Sequence, residues 1–176
     1  AWGTMWGVLS TGFIVGGIVI AKKGLGPNPL RTLFLANIVM WTTAIIFPSR
    51  ASVILMGVGL FFYMCLVPIV EAVEQTIIQK LVPLAKQGRV FGFAHSIEMA
   101  ASPISAFIIG PLAQLVFIPF MESEEGRRMF TPLLGTGPSR GIALVFMTAG
   151  LVGLIVTLSM LFSRTYRLLS KAYAKG

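Results

Sequence analysis

Apolar residues run along this chain in five long stretches, each closed off by charge or by proline and glycine, at about 2–21, 33–48, 52–81, 91–120 and 141–162. Crossing about 30 Å of hydrocarbon takes ~20 residues at a rise of 1.5 Å each. Within lipid only helices and closed barrels satisfy every backbone N–H and C=O. The pattern predicts an all-α, polytopic transmembrane bundle of five spanning helices, a single membrane domain over residues 1–176 with 163–176 as a tail. The second stretch is short for a span, and the third and fourth are long enough to tilt or project beyond the core. Small residues recur at four-residue spacing as Gly3/Gly7, Gly12/Gly16 and Ala149/Gly153. Such pairs let helix backbones approach closely in lipid, for static packing or for sliding contacts between moving bundles.

Composition agrees with lipid as the main solvent, since hydrophobic residues make up 56% of the chain and charged residues 11%. The formal net charge is +8, with six acidic residues, all Glu. In a soluble protein such a balance would raise nucleic-acid binding, whereas in an apolar chain it reflects Lys and Arg held at the membrane surface, so no nucleic-acid partner is expected. Basic residues alternate between rich and poor connections. Lys22, Lys23, Arg31, Lys80, Lys86, Arg89 and the tail hold ten of the fourteen, and these connections are expected on the cytoplasmic side. The C-terminus is then cytoplasmic in an integral protein of the inner or plasma membrane. The other side carries Arg50, the Glu122, Glu124 and Glu125 cluster, and Arg127, Arg128 and Arg140. The lone Cys65 has no disulfide partner within the chain. Because the chain opens on Ala1-Trp2-Gly3 with neither a Met nor a basic n-region, further upstream helices are expected.

Ionisable groups inside a bilayer cost several kcal/mol each, about 3 by insertion scales, which makes those that occur there candidates for function. Glu71 and Glu74 lie three apart on the third stretch, as do His95 and Glu98 on the fourth, so each pair shares one helical face. Counting outward from an expected turn at Pro83–Lys86 places Glu71 level with Glu98 and Glu74 level with His95, close enough to pair directly. At ~1.5 Å per residue the deeper pair lies about 20 Å from the turn centre. Carboxylates and an imidazole there suit a proton that is bound and released, and the rival expectation is a set of hydrogen-bonded structural residues. Gln75 extends the stripe towards the inner mouth. Pro68, Pro103 and Pro111 flank these residues and are expected to kink their helices.

The same four residues have hard-ligand chemistry at helical spacing. With one His, no Asp and no His-Glu-x-x-His, a metal site is not expected, and no Gly-rich phosphate loop supports ATP-driven transport. Neither a cofactor nor an enzymatic activity is expected.

Three stretches resemble the macrolide-efflux-like, drug-exporting branch of the major facilitator superfamily. Gln75-Thr-Ile-Ile-Gln-Lys-Leu-Val-Pro83 with Gln87-Gly88-Arg89-Val90-Phe91 looks like that branch's helix ten and the cytoplasmic loop after it. Ala101-Ser102-Pro103 with Ile109-Gly110-Pro111-Leu112-Ala113 resembles its helix eleven, and Gly135-x-Gly137-x-x-Arg140-Gly141-Ile142-Ala143-Leu144 resembles the start of its helix twelve. Gly17-Ile-Val-Ile-Ala21-Lys22-Lys23-Gly24 is similar to the superfamily's cytoplasmic-loop motif, with Ala21 where the acid is usual.

The resemblance implies that the spans correspond to helices eight to twelve of twelve, in a partial major-facilitator fold whose N-terminal half is the missing partner. It also implies secondary active efflux of a small amphipathic, drug-like compound by proton antiport and alternating access, with Glu71 and Glu98 in contact with the proton or a cationic substrate. A siderophore or lysophospholipid transporter of the same superfamily fits these residues too, as does a membrane scaffold that transports nothing. Lipid, protons and the small-molecule substrate complete the expected partners.

Overall fold

The computed structural model describes residues 2–50, 52–135 and 139–175. Their regular structure is helical throughout: α1 (Trp2–Lys23), α2 (Pro29–Ile46), α3 (Val53–Leu81), α4 (Leu84–Leu112), α5 (Ile118–Glu122), α6 (Glu124–Leu134), α7 (Ser139–Leu161) and α8 (Arg164–Lys175). A 3₁₀ turn at Phe47–Ser49 follows α2, and a π-helical segment at Ala113–Phe117 joins α4 to α5. Five stretches are long and apolar enough to cross a membrane: Gly3–Lys23, Pro29–Ser49, Val53–Leu81, Leu84–Glu122 and Arg140–Leu161. The fourth, 39 residues long, would reach about 58 Å if straight, nearly twice a hydrocarbon core.

Capping chemistry sets the helix ends, and it moves two of them from where hydropathy alone places them. Asn28 Oδ1 accepts from the Arg31 N–H at 3.2 Å, and Pro29 occupies the first turn, where its missing N–H costs nothing. α2 therefore starts at Pro29 rather than 33, and Arg31 sits on the helix. The expected turn at Pro83–Lys86 contracts to Val82-Pro83, so that Lys86, Gly88 and Arg89 lie in the first turns of α4 and not in a loop. The Gln87 side-chain amide closes this turn by donating to the carbonyls of Gln79 at 2.9 Å and Val82 at 3.0 Å, groups the end of α3 leaves unpaired. Gly24, at φ 66°, ends α1, and its N–H donates to the Ile20 carbonyl at 2.7 Å.

α3 packs against both α1 and α2, and α2 packs in turn against α7. Close approach is bought by glycine at two seams. A Cβ on Gly12 would sit 2.9 Å from the Phe61 carbonyl oxygen, and one on Gly16 would collide with the Cys65 carbonyl and the Pro68 ring. Along α7, Gly153 lies beneath the Trp41 indole and Gly150 against Ile45. Of the expected small pairs, Gly12/Gly16 forms a seam and Gly153 does so with Gly150 rather than with Ala149, which is exposed. Gly3 and Gly7 face open space.

Residues 121–140, expected as a polar connection, contain a helix. Ser123 Oγ caps α6 by accepting from the Gly126 N–H at 3.2 Å, and Glu124 and Glu125 occupy its positive first turn. Gly126, Phe130 and Leu134, four residues apart, turn inward. Leu134 joins Met121, Ala143 and Leu144 in a small core, walled by Phe117, Phe120, Phe130 and Met147. The tail is likewise helical, as α8, seated on α3 and α7. Elsewhere the surface is apolar, with Val8, Ile14, Ile54, Phe107, Leu115 and Val152 all exposed. Long helices that expose apolar side chains over most of their circumference belong in lipid or in a larger core, which separates the five long stretches from the short, amphipathic α6 and α8.

Candidate functional site

The polar residues of the third and fourth stretches meet across a cleft of about 570 Å³ between α3 and α4. On α3 the cleft is lined by Glu71, Glu74, Gln75 and Ile78, the i, i+3, i+4, i+7 set of one face. On α4 the same spacing recurs in Phe91, Ala94, His95 and Glu98, followed by Met99. The Val82-Pro83 turn directs these two faces at each other, and α4, which buries none of its residues, leaves the space between them open.

Within the cleft the pairing differs from the depth-matched expectation. His95 Nδ1 lies 3.6 Å from Glu98 Oε2 on its own helix, not against Glu74. Both side chains are well exposed, 70% and 55%, so this pair contributes little to stability. Glu74 is half-buried and within electrostatic reach of both Glu98 and Glu71. No ion pair bridges α3 and α4 among the described residues. Three carboxylates thus share the cleft with one imidazole, and Ile78, Phe91 and Met99 add apolar surface to its lining. An environment of this kind suits a cation with an apolar body and disfavours an anion. No group of three or more His, Cys, Asp or Glu side chains is placed to hold a metal ion among the described residues.

The prolines behave differently from one another. Pro68 is buried against Gly16 and lies in the unbroken helix α3, and Pro103 lies in unbroken α4. Both helices run on through these prolines without a break in the helix. After Pro111 the α register gives way to the π segment, where the Ile118 N–H donates to the Ala113 carbonyl. That segment comes just before Pro119, which lacks the N–H an α register would use.

The residues of the expected cytoplasmic-loop motif lie outside the cleft. Gly17, Lys22 and Lys23 belong to α1, the two lysines in its last turn where cations oppose the helix dipole, and Gly24 caps it. Gly88 and Arg89 are exposed on α4. Gly137 of the third resembling stretch lies outside the described residues.

Two contacts escaped the sequence reading. Tyr166 of α8 stacks edge-on against Phe34 of α2 at 5.2 Å, and Lys80 Nζ sits 4.0 Å over the Tyr173 ring. Their signal was the seven-residue spacing of the two tyrosines. No known family model, curated protein or solved structure matches the chain.

Proposed function

We propose that the chain forms five helices of a secondary active exporter of the major facilitator superfamily, of the drug- and macrolide-efflux-like kind, in the inner or plasma membrane with its C-terminus in the cytosol. One observation carries the reading: two helices of membrane-crossing length turn acidic, partly apolar faces to a common cleft. Acidic residues within membrane-crossing helices are rare unless they serve a pathway. The cleft's charge favours a cationic amphiphile. Proton uptake by Glu71, Glu74 or Glu98 neutralises a carboxylate and weakens its hold on a cation, which links substrate release to proton entry. Alternating access needs a second bundle to rock against this one, and the unburied surface of α4 offers a face for it.

The test is export by the full-length protein in proteoliposomes under an imposed pH gradient. Glu71→Gln or Glu98→Gln abolishes proton-coupled export of a cationic amphiphile while the variant still inserts. Full, pH-insensitive activity in both variants would leave the cleft a structural feature and the reading wrong.

A further inference from the structure

At the end of the bundle where α2 begins and α3 ends, α8 lies with its two faces fixed. Tyr166 against Phe34 and Tyr173 beneath Lys80 hold one face to the bundle. The opposite face presents Arg164, Arg167 and Lys171 around a shallow groove of about 270 Å³, with Leu168 among them, 68% exposed. This helix contains no acidic residue, and the chain's six carboxylates are accounted for by the cleft and by Glu122, Glu124 and Glu125 at the opposite end. Among the described residues no carboxylate pairs with the three cations.

We propose that this face of α8 is a docking surface for anionic phospholipid headgroups. The inference extends beyond the transport reading and rests only on the bilayer placement of the five long helices. Charge complementarity argues for it: three cations converge on one groove with no internal counter-charge. The exposed Leu168 separates a lipid surface from a soluble polyanion. An apolar side chain ringed by cations fits the boundary between headgroups and acyl chains, where it enters the apolar layer while the cations meet phosphates. The tyrosine anchors fix α8 on the bundle with the groove on its free face, so binding requires no reorganisation of the helix. Such contact also ties the ends of α2 and α3, and with them the cleft's inner mouth, to the membrane plane.

The experiment measures lipid retained by the full-length protein, purified in detergent and offered phosphatidylglycerol and phosphatidylcholine in equal amounts, by native mass spectrometry. Phosphatidylglycerol is preferred, and each basic residue replaced in Arg164→Gln, Arg167→Gln and Lys171→Gln lowers that preference about fivefold. The charge-keeping pair Arg164→Lys and Arg167→Lys retains most of it, which separates loss of charge from loss of fold. Leu168→Gln weakens retention without altering the preference for the anionic headgroup. Equal retention of the two lipids, unchanged preference in the triple Gln variant, or displacement of the lipid by inorganic phosphate at similar concentration overturns the proposal. A protein that stays monomeric in buffer without detergent would instead remove the bilayer placement itself.

Discussion

His95 pairs with Glu98 one helical turn away, not with Glu74 across the cleft, so the two helices facing that cleft are not latched together by charge. The α3–α4 relationship is therefore held at the turn and left free to vary further along. Breaking the exposed pair with His95→Ala is expected to change unfolding free energy by no more than about 1 kcal/mol, measured by denaturation in detergent.

Gln87 is the turn's fastener. Gln87→Ala removes both of its hydrogen bonds to the end of α3, at about 0.5–1.5 kcal/mol each. Spin labels placed midway along α3 and α4 should then report a broader distribution of distances than in the unsubstituted protein. An unchanged distribution would show that packing, not the turn, sets the angle.

The glycine seams separate helix packing from mere composition. Gly16→Ala forces a methyl group into the Cys65 carbonyl and the Pro68 ring, and a backbone cannot yield as a flexible side chain does. The expected loss is about 1–3 kcal/mol. Gly7→Ala meets open space and is expected to be neutral or stabilising by up to about 1 kcal/mol. Thermal unfolding of the two variants side by side checks both.

Leu134 is 1% exposed in the small core that seats α6. Leu134→Ala is expected to cost about 2–5 kcal/mol locally, read as faster amide exchange across residues 124–134 with α1–α3 unaffected.

The long helices were legible in the sequence because a 20-residue apolar run has few alternatives to a spanning helix. Their starts were less so. Arg31, Lys86 and Arg89 interrupt the apolar runs, yet they sit at exposed positions on the opening turns of α2 and α4. α6 and α8 were missed because an apolar residue at every fourth or seventh position averages away beside Glu, Arg and Lys. The facing of Glu71 and Glu74 towards His95 and Glu98 follows from their three-residue spacing and the connecting turn. Which of them pair does not, because pairing depends on how far α4 stands off from α3, a distance set by tertiary contacts that α4 largely lacks.

Bilayer crossing, with the basic end of the bundle in the cytosol, underlies both the export reading and the lipid surface. Labelling by a membrane-impermeant maleimide tests it most directly, on full-length protein with Cys65→Ser and a single new thiol at Glu125→Cys in α6 or Ser170→Cys in α8. The expected result is labelling at position 125 in intact cells and at position 170 only after the membrane is opened. Equal labelling of both in intact cells, or the reverse order, contradicts the placement.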